Sequence, residues 1–548
     1  MKKLLPLFIC LCTITLHAQT VGWFYGYPGN ADGYILFAPS NSPKTFLLDK
    51  CGKKIHEWVS FYDAGLAVYL QEDGSLLRCG NTNNSNFQGG GQGGILEKYD
   101  WNGFLTWSYK ISDSEQCQHH DAIELPNGNI MAISWEYHSK ADAQANGRVS
   151  VGNKMWSEKI VEIQPVGTDS GIIVWQWRAW DHLVQDADST KPNYGVVAEH
   201  PELLDLNLGT LSNSQSDWLH FNGLDYNEEL DQVMVSCHNL DEFYIIDHST
   251  TIEEAAGHTG GNSGMGGDLM YRWGNPQNYG RGTSDDRKLF QQHNAHWIAD
   301  DAGEIMLFNN GVGRPGTDYS SVEVLTLPPI VGANYQLETD SAYLPKEQDW
   351  IYTANPLSSF FSLVMGGAQR LPNGNTLICN ATSGKFIEVD SLGNDLWKYV
   401  NPIDLNGNTP QGDQPFQNSC FRVTWLPPDY AGFDGQVLTP GEPLELNPDN
   451  YICPTIPTSV SNIQVNTESV IYPNPFHHAF SISVPVNLKA ASLEVHDVTG
   501  RLLYSEFNIT SSPHAPLNFT ADLPAGMVVV SVKDASQNFS WNSRALVQ

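Results

Sequence analysis

Positive charge is scarce in this sequence. Lys and Arg number 29 against 61 Asp and Glu, a formal net charge of −32. Such a surface repels phosphate backbones and anionic headgroups, which excludes nucleic acid and membrane surfaces as partners. An anionic ligand would need a locally positive site. Charge of either sign is sparse, at 16% of residues, while Gly, Asn, Ser and Thr abound and 16 Trp are present. That balance fits an exported, loop-rich β protein and not a disordered acidic tail. After the N-terminus no apolar run approaches the ~18 residues of a spanning helix, so membrane insertion is not expected. There is no C-x-x-C or Cys/His finger spacing to mark a structural zinc site. There is also no G-x-x-x-x-G-K-[ST]: the glycine-rich runs 89–94 and 260–267 share only composition with phosphate loops and read as flexible loops. Neither a metal nor a cofactor is expected.

Met1-Lys2-Lys3, the apolar run Leu4 to Leu16 and His17-Ala18-Gln19 have the layout of a signal peptide, residues 1–18, cleaved after Ala18. Of the nine cysteines, Cys10 and Cys12 fall in it. The remaining seven cannot all pair within one chain. Cys420 and Cys453 are the expected disulfide, because both lie in irregular sequence and export permits oxidation.

From about Gly33 one unit recurs: an apolar strand, an Asn-Gly or Asp-Gly turn, and a second strand rich in Trp, Tyr and Ile. Clear copies run from Tyr69 to Leu77, Ile123 to Met131 and Gln369 to Leu377, and looser ones from Asp225 to Val235 and Trp297 to Phe308. Second hairpins, Leu96 to Trp107 and Ile387 to Trp397, complete units of four short strands. Four such strands make one propeller blade, and five or six blades fit between residues 33 and 425. The insertions Ala179 to Leu208 and Ser249 to Asp286 exceed blade turns and are expected over one face of the disc, where loops build sites.

Histidines gather where these units begin. Gln118-His119-His120-Asp121, Asp217-Trp218-Leu219-His220-Phe221-Asn222 and Gln292-His293-Asn294-Ala295-His296 each lead into a strand. Corresponding positions on successive blades face the same end of the channel, so imidazoles from three blades are expected to meet. Neutral histidine is a nucleophile and, with an ordinary pKa of ~6.5, an acid or base near neutrality. The pattern suits transfer of a charged group; three His with an Asp would equally suit zinc or iron.

These segments, with Leu125-Pro126-Asn127-Gly128-Asn129, Trp177 to Asp186, Ile246 to Thr251 and Phe308-Asn309-Asn310-Gly311, resemble the arylsulfate sulfotransferase family over roughly residues 35 to 430. The resemblance implies a six-bladed propeller that moves a sulfuryl group from an aryl sulfate donor to a phenolic acceptor through a sulfohistidine, with no nucleotide donor. It implies His293 as the nucleophile, with His120 and His220 orienting the sulfate and moving the phenol's proton. His119, His296, Asn222 and Arg178 are carried as substrate-binding candidates. Where the family places an arginine, this chain reads Val235-Ser236-Cys237-His238-Asn239, and His238 is a weaker, pH-dependent cation. His238 is accordingly the fourth catalytic candidate, with Arg178 or Arg314 as possible substitutes for the missing charge.

The expected layout is all-β: a signal peptide (1–18), a six-bladed β-propeller (19–437), a Pro-, Asn- and Glu-rich linker (438–465) and a small antiparallel β-sandwich (466–548). Tyr472-Pro473-Asn474-Pro475-Phe476, Asp497 to Arg501 and Leu523-Pro524-Ala525-Gly526 resemble the C-terminal sorting domain of type IX secretion. That resemblance implies the secretion machinery as partner and a secreted or surface location. Two other readings stay open: a metal-dependent hydrolase or oxidase using His119, His120, His220 and His293, and a non-catalytic propeller binding glycan or protein.

Overall fold

Three turn glycines show why the hairpin signal is legible. Gly74, Gly128 and Gly374 have φ near +80° (81°, 80° and 87°), a conformation glycine enters without steric cost. They join Ala64–Leu70 to Leu76–Asn81, Gln116–Glu124 to Ile130–Ser139, and Gly367–Arg370 to Thr376–Asn380. The computed structural model describes residues 19–298, 303–338, 341–449, 453, 470–472, 476–484, 487–497, 501–512, 515–534 and 539–547. The expected signal peptide lies outside them, as do 473–475 and 498–500 of the sorting motifs. The chain divides into two units, Met1–Pro454 and Thr455–Gln548.

Among the described residues the first unit holds six antiparallel sheets of four or five strands, which succeed one another as the blades of a β-propeller do. Their leading strands are Ala64–Leu70, Gln116–Glu124, Phe221–Asn227, His293–Trp297, Gly367–Arg370 and Thr424–Leu426. The first five pack against one another in that order. Thr424–Leu426 pairs with Tyr34–Phe37, so the unit's last strand completes the sheet of Tyr34–Phe37, Lys44–Asp49 and Lys54–Val59, while Gly22–Gly26 adds a fifth strand to the sheet led by Gly367–Arg370. Apolar residues fill the spaces between sheets; Trp135, Trp177, Trp218 and Trp397 are almost wholly buried.

In the second unit the strands Val470–Tyr472, Ala479–Ser483 and Leu517–Thr520 form one sheet, and Leu488–Asp497, Leu502–Ser511, Gly526–Asp534 and Phe539–Val547 another. Phe480, Ile482, Leu493, Val495, Val530 and Val532 share one apolar core. That is the sandwich the alternating pattern of the tail requires.

Four expectations need correction. Residues 438–449 are not a free linker: Pro443 bridges to Lys53, Leu446 bridges to Pro410, and Leu444 is buried. Pro-rich composition forbids a regular strand but not single bridges. Cys453 pairs with Cys51 (Cα–Cα 5.7 Å), not with Cys420, whose thiol is buried and hydrogen-bonds to the Arg422 carbonyl. The two long insertions contribute no residue to the cavity described below. The first folds on itself through the parallel pair Leu183–Val184 with Leu204–Asp205, and the two engage one another through His182 with Asp268. Finally, the run 89–94 is not merely a flexible loop, because its glycines permit close approach: a Cβ on Gly91 would lie 2.0 Å from the His120 ring.

Candidate active site

A bulge opens each strand entrance. The register of Gln116–Glu124 slips at His119 to Asp121, that of Phe221–Asn227 at Asn222, and that of His293–Trp297 between His293 and His296. His120, His220 and Asn294 take left-handed φ of 53°, 56° and 56°, and Leu66 and Met365 do so at two further entrances. Such a bulge turns successive side chains away from strict alternation and re-aims them. The result is one cavity of about 830 Å³ lined by His120, His220, His238 and His293 together.

The four rings form an arc. His120 and His220 lie 4.6 Å apart centre to centre, His220 and His238 5.0 Å, and His238 and His293 5.3 Å. Each ring is oriented from behind. His293 Nδ1 lies 2.7 Å from Asn310 Oδ1, while Asn310 Nδ2 donates to the carbonyls of Ser362 and Met365. Those two carbonyls fix the amide's orientation, so Nδ1 carries the proton and Nε2 the lone pair. Nε2 accepts the Met365 N–H at 3.2 Å. His220 Nδ1 meets Asp217 Oδ2 at 2.5 Å, and His238 Nδ1 meets Asn239 Oδ1 at 2.8 Å.

His120 is backed by a buried chain. Its Nδ1 lies 2.8 Å from Nδ1 of His119, whose Nε2 lies 2.8 Å from Glu158 Oε2. His119 is stacked on Trp135 at 4.0 Å, and Glu158 Oε1 accepts the Phe221 N–H. His119 therefore stands behind the cavity wall instead of lining it.

Burial and mutual proximity hold His119, His120 and His293 well below the ordinary imidazole range. Burial pushes His238 down to about 3 and His296 to about 4. These rings are neutral at neutral pH, so His238 supplies no cation in place of the family's arginine. Burial and the neighbouring Asp217 push the Glu158 carboxyl well above its usual range.

Sequence reasoning did not find the nearby cations. Arg422, just before the last strand, donates to Asp121 Oδ2 at 2.7 Å, to the Tyr69 hydroxyl and to the Asn222 carbonyl. Its charge is one of the influences that lower His293 and His296. Lys154 lines the cavity with Nζ 4.8 Å from the Trp156 ring centre. The signal for Arg422 was its place at the sixth strand entrance, where three of the other entrances carry histidine. Arg178 is held by Glu136 and Asp181, and Arg314 by Ser321 and Glu323; neither lines the cavity. His296 is bonded to the Asn294 carbonyl, and Asn222 Nδ2 donates to the Gln292 carbonyl; both lie outside the lining.

Among the described residues, the His, Cys, Asp and Glu donors that converge as a metal site would require are His182, His258 and Asp268, not the cavity histidines. That geometry disfavours the metal-dependent reading of the cavity.

The family model described as Arylsulfotransferase (ASST) matches residues 39–414, and the model described as Secretion system C-terminal sorting domain matches residues 470–547. No curated protein matches significantly. Among solved structures, a protein of unknown function from Bacteroides caccae is 11% identical over 72% of this chain and 99% of its own, with a TM-score of 0.40. A streptogramin B lyase is 10% identical over 75% of this chain and 96% of its own, with a TM-score of 0.32. Neither is close enough to carry a function to this chain.

Proposed function

Since the chain belongs to the arylsulfotransferase family, matched from residue 39 to residue 414, we propose that it transfers a sulfuryl group between phenols through a covalent adduct on His293. The sorting domain marks it for export to the surface or the medium. The observation that carries the reading is the fixed tautomer of His293: Asn310 holds its Nδ1–H, leaving a neutral Nε2 lone pair at the cavity wall. Leu66, Trp156, Val364 and Met365 supply apolar lining for an aromatic ring beside the histidines.

In this reading Nε2 of His293 attacks sulfur, an N–S bond forms, the S–O bond to the aryl group breaks and a phenolate departs. Positive charge gathers on the ring and is stabilised by the Asn310 oxygen. The Met365 N–H, released from Nε2, faces the sulfuryl oxygens. A second phenol then reverses the steps. No nucleotide takes part, in keeping with the lack of a phosphate-loop motif.

The chain Glu158–His119–His120 suits the proton transfers. With Glu158 protonated, it donates to His119 Nε2, His119 Nδ1–H donates to His120 Nδ1, and His120 Nε2–H is an acid toward the cavity. With Glu158 ionised the bonds run the other way and His120 Nε2 is a base. Passage from the first arrangement to the second delivers one proton to the leaving phenolate; the acceptor phenol restores it. Turnover of a chromogenic aryl sulfate in the presence of a phenol, abolished in His293→Ala, is the test. Undiminished turnover by that variant would sink the reading.

A further inference from the structure

We propose that His182, His258 and Asp268 form a zinc site that fastens the insertion following Ser170–Arg178 to the glycine-rich loop preceding Leu269–Trp273. His182 Nε2 lies 2.8 Å from the carbonyl oxygen of Ala255. A carbonyl only accepts, so Nε2 carries the proton and Nδ1 of the neutral ring carries the lone pair. That Nδ1 lies 2.8 Å from Asp268 Oδ1, and His258 Nδ1 lies 2.8 Å from the same oxygen. His258 Nδ1 can donate to that oxygen as a neutral ring, but the lone pair of His182 Nδ1 and the carboxylate repel unless a cation, a proton or a metal ion, sits between them. The ligand atoms of the three residues all fall within 4.8 Å of one another. A ligating histidine whose other ring N–H is anchored on a backbone carbonyl is the arrangement that orients imidazoles toward a metal.

The surroundings hold the site in place. Trp177 stacks on His182 (5.5 Å between centres, 3° between planes) and donates Nε1–H to the Gly267 carbonyl at 2.6 Å. A Cβ on Gly267 would lie 2.1 Å from the Ala255 oxygen and 2.7 Å from His182 Nε2, so the loop presses on the ring and needs glycine there. The side chains of His182 and Asp268 are 0% and 7% exposed, while His258 is 59% exposed. Two donors are thus rigid, and the third closes from solvent.

Two nitrogens and one carboxylate oxygen suit zinc better than calcium or magnesium, which take oxygen sets. Zinc bonds of roughly 2.0–2.2 Å space tetrahedral donors about 3.4 Å apart. Both 2.8 Å contacts end on Asp268 Oδ1, so a small turn of that carboxylate together with a swing of the exposed His258 ring opens them by about the half ångström that zinc needs. A water would complete the set. Finger spacing does not reveal the site, because His182 stands 76 residues before His258 and Asp268 ten after it. None of the three lines the cavity, so the proposal stands apart from sulfuryl transfer.

The test titrates ZnCl2 into the untagged, chelator-stripped full chain by calorimetry, with thermal unfolding alongside. Expected are one zinc per chain and a raised Tm, with affinity at least tenfold weaker in His258→Ala and Asp268→Asn. His258 is exposed, so its replacement leaves folding intact. Failure to bind one zinc per chain, or affinity unchanged in both variants, would overturn the proposal and leave protons as the cation within the cluster.

Discussion

Nδ1 of His293 lies 2.7 Å from Oδ1 of Asn310, and that bond decides which nitrogen of the ring faces the cavity. Asn310 is fully buried and is itself held by the carbonyls of Ser362 and Met365. Losing the side chain frees the His293 tautomer and strips both carbonyls of a donor. Asn310→Ala is expected to lower kcat about 100-fold, the lower end for loss of an orienting partner of a catalytic histidine, with KM little changed. Stability should fall by roughly 1–3 kcal/mol. Steady-state kinetics and a denaturant titration measure the two effects.

Glu158→Gln keeps the Phe221 N–H acceptor but places an amide N–H against His119 Nε2. The relay is then held with His120 Nε2 protonated, unable to take a proton. Stopped-flow kinetics should show the acceptor step slowed by about 10²-fold or more, the usual worth of a positioned base. The burst with a donor whose phenol is a good leaving group should survive, since that step needs no proton. Equal loss in both steps would count against the relay.

The depressed histidines make stability fall with acid. Their folded pKa values lie below the unfolded value of ~6.5, so below that pH the unfolded chain binds protons that the folded chain does not, and unfolding becomes easier. Each of His119, His120 and His293 adds to that loss as pH falls below ~6.5. Thermal unfolding from pH 7 to pH 5 should show Tm dropping steeply. The His293 nucleophile stays neutral over the same range, so the rate of adduct formation should not show an acid limb near pH 6.5.

His248 acts in the opposite window. Glu162 Oε2 at 2.9 Å and Asp231 Oδ1 at 2.7 Å hold it, and its pKa rises to about 9 in spite of burial. A raised folded value gives stability that is complete below ~6.5 and lost as pH climbs through 9. The shift corresponds to about 3 kcal/mol at most. His248→Gln should lower Tm at pH 6.5 and flatten the fall in Tm between pH 7 and pH 9.5.

Hairpin turns and histidine entrances are legible in the sequence because local rules govern them: left-handed turn positions at Gly74, Gly128 and Gly374, and alternation on either side. The convergence of His120, His220, His238 and His293 follows from the blade repeat. Glu158 is not legible, because in Lys154–Val166 it occupies an alternating position that a one-sided strand would give to solvent, whereas here both faces are buried. The segment Ile246 to Thr251 looks functional by resemblance, yet its His248 is an ion-paired tie between two sheets. The Cys51–Cys453 bond and the zinc cluster span 402 and 86 residues, distances over which spacing carries no signal.

The most direct measurement of the central claim is the intact mass of the chain after brief exposure to an aryl sulfate without acceptor, followed by fragmentation. The expected result is a gain of about 80 Da, one sulfuryl group, localised to His293 and discharged when a phenol is added. Turnover with no adduct on the wild-type chain, or an adduct that persists in His293→Ala, would contradict it.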